Sequence, residues 1–335
     1  MADHQDRATT RADVARLAGV STAVVSYVVN DGPRGVSAAT REKVLRAIRQ
    51  LNYRPNASAR ALKTGSTGTI GVVVSDITNP HYAEFVEAID AVAGASGRSL
   101  MLGISHGESQ GEDTLIRDLL DRGIDGLLVI NCRLTDERLR TLGADDRPCV
   151  LVDRSLPGSM LPTVGADLEM GARLAVEHLA DHGHRRIVYV SGPLLDTQID
   201  HRANAYAAVL RERGLPRLDP VVTEWSRDGG YTAATDLLSS EEPPTAVFAG
   251  SDLIAIGVLN AAHDLGVAVP DDLAVVGLDG TMQSGYVTPA LTTVRQPLDL
   301  MAKEALDVLT HPGSHARSTT FPVELVVRES CGRHS

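Results

Sequence analysis

Residues 10–30 read TRADVARLAGVSTAVVSYVVN, a run that predicts two short helices joined by a tight turn. Thr10 and Asp13 have the spacing of a capping box at the start of the first helix. Gly19 permits the turn, and Ser21 can cap the second helix. Each helix has apolar residues at helical spacing, namely Val14, Leu17 and Ala18, then Val24, Val25 and Val28. The pattern predicts a helix-turn-helix, which places its second helix in the major groove of DNA, although small helical bundles also use glycine turns.

A third helix and a basic segment follow. Ser37 can cap a helix that ends near Leu51, with a predicted inner face of Val44, Leu45, Ile48 and Leu51. Residues 52–63 then read NYRPNASARALK, and three of them share about one face of a short helix: Asn56, Ala59 and Leu62. An exposed leucine in a basic segment with no core nearby favours contact with DNA over a plain linker helix.

The charge balance separates this N-terminal part from the rest of the chain. Residues 1–65 contain 11 Lys and Arg against 5 Asp and Glu, whereas residues 66–335 contain 21 against 38. A basic headpiece on an acidic body is expected when only one end of the chain meets DNA phosphates. The net charge of −11 for the whole chain hides this division.

From residue 69 onwards, short apolar runs alternate with helical patterns. Strands are predicted at 69–74, 99–104, 126–130, 149–152, 187–190, 221–223, 246–249 and 273–276, and a helix at 80–94. Continuous Val, Ile and Leu strands between helices indicate parallel sheets that are covered on both faces. The two series of strands predict an α/β body with two similar lobes. Ligands of such sheets bind at the carboxyl ends of the strands.

Composition disfavours membrane and secreted classes. No apolar run approaches the roughly 18–20 residues of a membrane span, and the N-terminus has no apolar signal-peptide region. Cys132, Cys149 and Cys331 are far apart and odd in number, which suggests reduced thiols. We therefore expect a cytoplasmic protein with no membrane partner.

Two motifs invite an enzymatic or metal-binding interpretation. Residues 103–107 read GISHG and match the G-x-S-x-G pattern of hydrolases, but a polar loop follows where that motif requires a helix. His178, His182 and His184 cluster without the glutamate of a zinc-protease motif. The sequence contains neither G-x-G-x-x-G nor a P-loop. We predict no catalytic residue, no metal and no cofactor.

The ordered motifs resemble those of the lac repressor family of transcriptional regulators. The headpiece segments that carry the resemblance are 13–21, 25–30, 36–44 and 51–56, and the body segments are 182–189, 249–257, 269–279, 291–297 and 323–330. The resemblance implies a helix-turn-helix headpiece followed by two parallel-sheet α/β lobes of the periplasmic-binding-protein type. It also implies that the chain crosses between the lobes near residue 165, Thr293 and Phe321.

The resemblance implies a division into four parts. These are a loose tail at 1–9, the helix-turn-helix headpiece at 10–55, a hinge helix and linker at 56–65, and a core for effector binding and dimerisation at 66–335. Within the core, lobe one is expected at about 66–165 and 294–320, and lobe two at about 166–293 and 321–332. No heptad repeat follows the last predicted strand, so the zipper that makes some relatives tetramers is not expected.

The predicted DNA-contacting residues are Ser21, Thr22, Ala23, Ser26, Tyr27, Arg34, Asn56, Ala59 and Leu62. Thr22 and Ala23 begin the recognition helix, where small side chains can contact base edges. Tyr27 stands where many family members carry arginine, and tyrosine cannot make the bidentate guanine contact of an arginine. By resemblance, Leu62 wedges into the minor groove at the centre of the operator.

The resemblance places effector contacts at Asn79, Tyr82, Asp153, Arg202, Trp225 and Asp252. Carboxylate and guanidinium groups can each bind two hydroxyls, and the indole of Trp225 can stack on a sugar face. Asp252 has the alternative role of capping a helix that begins near Leu253, and Trp225 that of a core residue.

The sequence therefore predicts a dimeric repressor that binds a pseudo-palindromic double-stranded DNA operator and responds to a small-molecule effector. A sugar is the expected effector, and a purine is the alternative within this class. A free-standing sugar-binding protein or an enzyme is the remote alternative, which would require a signal peptide or a catalytic constellation. The sequence leaves open which ligand binds and whether it induces or co-represses.

Overall fold

The computed structural model describes residues 9–29, 35–54, 61, 65–106, 109–132, 135–144, 147–153, 159–194, 200–313 and 318–332. The chain divides into two compact units, Met1–Thr67 and Gly68–Ser335. We call the first unit the headpiece and the second unit the core.

The described part of the headpiece contains helices α1 (Arg11–Ala18), α2 (Thr22–Val29) and α3 (Ala38–Gln50). The Thr10 hydroxyl accepts a hydrogen bond from the Asp13 amide, and the Asp13 carboxylate accepts one from the Thr10 amide at 3.0 Å. Gly19 ends α1 with φ of 65°, the left-handed conformation that glycine adopts readily. The predicted capping box and helix-turn-helix are both confirmed.

The headpiece core is formed by Val14, Ala15, Val25, Val28, Val44, Ala47 and Tyr53. Leu17 and Leu45 were predicted to face inwards, but they are 46% and 36% exposed. Each lies two positions from a buried alanine, Ala15 or Ala47, and two positions turn a helix by about 200°. The alanines therefore face the neighbouring helices, and the two leucines point outwards.

None of the helices in the described part of the chain is by itself long and apolar enough to span a membrane. α1 and α2 reach that length and hydropathy only as a pair, and the pair is bent by 104° at its break. Val14, Val25 and Val28 of these two helices belong to the headpiece core.

The first lobe of the core contains strands β1 (Thr69–Val74), β2 (Ser99–Ile104), β3 (Gly126–Ile130), β4 (Cys149–Val152), β5 (Thr163–Ala166) and β11 (Ser318–Phe321). These strands are parallel, in the order β11-β5-β4-β3-β1-β2. One face packs on α4 (Pro80–Ala95) and α11 (Leu298–Thr310), and the other on α5 (Ser109–Asp121) and α6 (Asp136–Thr141). A parallel sheet with two covered faces requires strands that are apolar on both sides, as β1 and β3 are.

The second lobe contains β6 (Ile187–Ser191), β7 (Val221–Val222), β8 (Ala246–Ala249), β9 (Ala274–Asp279), β10 (Thr292–Arg295) and β12 (Glu324–Val326), in the order β12-β10-β9-β8-β6-β7. Its helices are α7 (Leu168–Asp181), α8 (His201–Glu212), α9 (Arg227–Leu238) and α10 (Asp252–Asp264), with a short 3₁₀ helix at Met282–Gly285. β12 pairs antiparallel with β10. The chain enters β12 directly from β11 of the first lobe, without a crossover helix, and β12 runs opposite to β10, the strand it pairs with at this edge of the sheet.

The chain passes between the lobes three times. It leaves the first sheet after Ala166, leaves the second after Arg295, and passes from Phe321 to Glu324 between β11 and β12. The second crossing follows Arg295, two residues after Thr293, near which it was predicted; Thr293 itself is inside β10 and pairs with Gly277 of β9. The fold is the predicted one, two α/β lobes joined by short connections.

Candidate ligand-binding cleft and DNA-binding surface

The carboxyl ends of the two sheets border a cleft of about 1050 Å³. Residues that end or follow strands in both lobes line it: Ser75, Asn131, Asp153, Gly250 and Asp279. The loops after parallel strands are the usual place for a ligand in such sheets. Five of the six predicted effector contacts also line it: Asn79, Tyr82, Asp153, Arg202 and Trp225.

Two of the carboxylates that line the cleft, one from each lobe, lie at strand ends. Asp153 directly follows β4 with φ of 57°, and Asp279 ends β9 with φ of 128°. A non-glycine residue with positive φ is uncommon, and such conformations are concentrated at functional sites. Gln296 donates its side-chain amide to Asp279 Oδ1 at 3.2 Å. Burial raises the pKa of Asp279 to about 7, against the opposing charge of His81.

Arg202 lies in the first turn of α8 and extends across the second lobe's side of the cleft. Its Nη1 donates to the Gly250 carbonyl at 3.2 Å, and its Nε lies 3.4 Å from Asp200 Oδ1. The guanidinium carbon is 4.9 Å from the centre of the Trp225 ring, a cation–π distance. The Trp225 indole also donates to the Pro193 carbonyl at 2.9 Å. Trp225 is therefore a half-buried wall of the cleft that also packs against the lobe's core.

Asn79 and Tyr82 come from the beginning of α4. The Asn79 side chain caps that helix by accepting from the His81 amide at 3.1 Å. The Tyr82 hydroxyl accepts from the Asn131 side-chain amide at 2.6 Å, and burial raises its pKa well above the usual value. The first lobe thus presents a phenol and a carboxamide beside Asp153.

Asp252 occupies a different place from the one predicted. It does not line the cleft, and its carboxylate accepts hydrogen bonds from the Thr281 amide and hydroxyl, both at 2.8 Å, and from the Thr293 hydroxyl. The alternative role is also wrong, because Ser251 caps α10 by accepting from the Ile254 amide at 3.3 Å. Asp252 therefore ties the segment after β9 to strand β10.

Asp279, His81 and Asn131 line the cleft but were missed as candidate residues. The strand predicted at 273–276 extends to Asp279, so its carboxyl end lies three residues later than predicted. The rule that ligands meet the carboxyl ends of strands would have identified Asp279 if that bound had been right. His81 carries no comparable signal, since it occurs within an amphipathic helix.

The predicted DNA contacts that the structure describes lie at the start and middle of α2. Ser21, Thr22 and Ala23 are exposed, whereas Ser26 and Tyr27 are half-buried. The Ser21 hydroxyl accepts from the Val24 amide at 3.3 Å, which confirms the predicted N-cap. Arg34, Asn56, Ala59 and Leu62 lie outside the described residues.

The residues of the hydrolase-like sequence and of the histidine cluster make contacts with nearby side chains and backbone groups. Ser105, of the G-x-S-x-G sequence, is buried, and its hydroxyl donates to the Val74 carbonyl at 3.5 Å. His178 Nε2 lies 3.2 Å from the Cys331 thiol. Within the described ranges, no group of three or more His, Cys, Asp or Glu side chains is arranged to hold a metal ion.

A helix-turn-helix headpiece joined to a two-lobed core with a polar cleft defines a ligand-responsive DNA-binding protein, and comparisons with known proteins agree. The profile of bacterial regulatory proteins of the lacI family matches residues 10–56, and that of a periplasmic binding protein-like domain matches 176–331. The chain is 39% identical to catabolite control protein A of Priestia megaterium, over 89% of this chain and 90% of that protein. It is 38% identical to the ribose operon repressor of Escherichia coli K12, over 90% and 92%.

Among solved structures, the lac repressor dimer bound to operator and the anti-inducer ONPF superposes with a TM-score of 0.86 at 30% identity. The alignment covers 97% of this chain and 99% of that one. The chain therefore belongs to the lac repressor family of DNA-binding transcriptional regulators, a family that is not enzymatic.

Proposed function

We propose that this protein is a repressor that binds a pseudo-palindromic operator as a homodimer and whose operator affinity is controlled by a sugar in the cleft. The cleft between the lobes carries this proposal, because it brings acidic, cationic and aromatic side chains from both sheets around one cavity of about 1050 Å³. The similar lac repressor structure is described as a dimer with operator and anti-inducer, and a similar relative is named a ribose operon repressor.

The chemistry of the cleft suits a polyhydroxylated ligand. A hydroxyl group both donates and accepts, so it is served by Asp153 and Asp279 as acceptors and by Arg202 as donor. Trp225, whose ring lies next to the Arg202 guanidinium, offers an aromatic surface in the same cavity. We assign the effector contacts to Asn79, Tyr82, Asp153, Arg202 and Trp225, with Asp279 in the place first given to Asp252.

The charges that line the cleft favour a neutral effector over an anionic one. The described lining contains six carboxylates: Asp76, Glu112, Asp153, Asp167, Glu169 and Asp279. Its basic side chains are those of Arg202, His81, His106 and His201. A phosphate or carboxylate group on the ligand would add charge of the sign that already dominates. A neutral sugar and a neutral purine both satisfy this condition.

In the headpiece, the exposed Thr22 and Ala23 begin the recognition helix and are assigned to base edges. Ser21, Ser26, Tyr27 and Arg34 are assigned to the same interface, with the serines and the arginine on phosphates. Asn56, Ala59 and Leu62 are assigned to the minor groove. The effector binds one arrangement of the lobes more tightly than another, and this difference in binding free energy shifts the balance between the arrangements. Operator affinity changes because it depends on which arrangement the dimer adopts.

The test is a thermal-shift screen of the full chain with D-ribose, D-glucose, cellobiose, hypoxanthine and guanine. A ligand that binds the folded state raises the melting temperature in a concentration-dependent way. The ligand found is then added to an electrophoretic mobility assay on an operator selected from random duplexes. A sugar that stabilises the chain and changes operator affinity is expected. A response to the purines alone would replace the sugar, and a failure to select any operator would contradict the repressor role.

A further inference from the structure

His81, the second residue of α4, lies beside the cleft where the two lobes meet. Its Nε2 is 3.6 Å from Asp153 Oδ2 in the first lobe, and its Nδ1 is 3.9 Å from Asp279 Oδ1 in the second. The residue is 2% exposed, and neither ring nitrogen has a direct hydrogen-bond partner among the described residues. A buried polar side chain without such partners is unusual in a folded protein and calls for an explanation.

The surroundings of His81 favour a positive charge. Burial alone lowers the pKa of this imidazole, but the nearby Asp279, Asp153 and Asp252 raise it to about 9. Its ring packs edge-on against Tyr82 at 5.1 Å between centroids and lies 6.4 Å from Phe85. Between about pH 7 and 9 the residue is therefore an imidazolium held between carboxylates of both lobes.

Arg202, the other cation beside these carboxylates, does not lie between Asp153 and Asp279. Its guanidinium stacks on Trp225 and donates to the Gly250 carbonyl on the second lobe's side. His81 is the cation placed directly between Asp153 and Asp279. Without it, the carboxylates of Asp153 and Asp279 would repel each other across the cavity with no cation directly between them.

We propose that His81 is a positioning residue of the cleft, a buried cation that holds Asp153 and Asp279 together so that both receive hydroxyl groups of one uncharged ligand. This inference rests on the proposed effector function. His81 and Asp153 belong to one lobe and Asp279 to the other. The contact between the lobes would therefore set the distance between the two carboxylates, and with it the spacing of the ligand hydroxyls that can bind both.

The binding test uses the full-length His81→Phe, Asp279→Asn and double variants. Phenylalanine keeps the packing against Tyr82 and Phe85 but removes the charge. The probe is whichever of D-ribose, D-glucose or cellobiose binds the wild type, titrated calorimetrically at pH 7.5. His81→Phe is expected to raise the dissociation constant at least tenfold, and the loss of affinity in the double variant is expected to be smaller than the product of the two single losses. Binding within twofold of the wild type, or losses that multiply in the double variant, would overturn the proposal.

A second test needs no ligand and measures the charge of His81 directly. The folded pKa of about 9 lies above the unfolded value near 6.5, so the charge stabilises the folded state fully below about pH 6.5. That stabilisation is lost as pH rises through 9. The pKa values of Asp252 and Asp279, about 6 and about 7, lie lower, and that of Tyr82 lies well above 10. The thiols of Cys149 and Cys331, whose pKa values burial also raises, contribute to the pH dependence above 8, but they do so equally in wild type and variant, so the difference between the two curves reports His81.

Unfolding is therefore compared between wild type and His81→Phe from pH 7 to 10. The melting temperature of the wild type is expected to fall towards that of the variant across this range, and parallel curves would overturn the proposal. His81→Gln replaces the phenylalanine variant if the latter does not fold, and His263→Gln, at an exposed histidine of α10, is the matched control. If no probe binds the wild type, the proposed sugar effector fails, but this comparison still decides whether His81 carries the charge.

Discussion

The headpiece and the cleft differ in how their residues come together. The proposed recognition surface of the headpiece is local, since Ser21 through Tyr27 lie within one short helix and its cap. The cleft gathers residues from Asn79 to Asp279, supplied by loops of both sheets and by two helix N-termini. A local motif can be recognised in a sequence by spacing alone, whereas an assembled site depends on where each strand ends.

The two regions also differ in charge and exposure. The first 65 residues carry 11 basic against 5 acidic side chains, whereas carboxylates dominate the lining of the cleft. Exposed charges are screened by salt, but partly buried pairs such as Arg202 with Asp200 are screened much less. Operator binding and effector binding should therefore respond to different perturbations.

The largest difference is expected with salt. Operator affinity should fall roughly 10³-fold or more between about 50 and 200 mM salt, because contacts from two headpieces to about 6–10 phosphates release counterions. Effector affinity should change little over the same range, because the proposed ligand is neutral and the groups proposed to bind it are partly buried. Fluorescence anisotropy on operator DNA and calorimetry on the effector measure the two slopes. Equal slopes would contradict the division between the regions.

Arg202→Ala should affect the cleft alone. Loss of its charge-assisted hydrogen bonds to ligand oxygens should cost a few kcal/mol, on the order of 100-fold in effector affinity. Operator affinity in the absence of effector and the dimer mass should stay unchanged. Arg211→Ala, at an exposed position of the same helix, is the control and should leave the effector's dissociation constant as in the wild type. An unchanged constant in Arg202→Ala would remove Arg202 from the site.

The headpiece was predictable because its signals are short-range. Thr10 with Asp13, Gly19 and Ser21 each act within four residues, and each has the predicted role. The buried faces were less predictable, as the exposed Leu17 and Leu45 show. Which side of a short helix faces inwards depends on the elements packed against it. In the headpiece the small residues Ala15 and Ala47 are buried at the helix contacts, where hydrophobicity alone predicted the leucines.

The cleft was less predictable because tertiary pairing extends β9. Gly277 and Asp279 are poor strand formers, yet both pair with β10, opposite Thr293 and Arg295. Position 277 also needs a glycine, because a Cβ there would lie only 2.6 Å from Asp252 Oδ1 and would displace that carboxylate. The sequence shows two aspartates near strand ends, but only the packing distinguishes the one that binds threonines from the one that faces the cavity.

That distinction predicts opposite outcomes for two alanine variants. Asp252→Ala removes the acceptor of the buried Thr281 amide and two hydroxyls, so it should cost about 2 kcal/mol of core stability. Its effector affinity should remain near that of the wild type. Asp279→Ala should weaken effector binding about tenfold, as expected for loss of a ligand hydrogen bond. Calorimetry and urea unfolding of both variants test this, and a reversed pattern would return Asp252 to the site.

The smallest expected effects come from the two helix caps of the headpiece, and they separate structure from DNA contact. Thr10→Ala and Ser21→Ala each remove a side-chain acceptor for a helix N-terminal amide, so each should lower headpiece stability by about 1 kcal/mol. Thr10 precedes α1, whereas Ser21 is exposed at the start of the recognition helix and is assigned to a phosphate. At equal loss of stability, Ser21→Ala should therefore weaken operator binding severalfold more than Thr10→Ala. Equal operator affinities in the two variants, measured at one salt concentration and below the melting temperature of both, would limit Ser21 to its capping role.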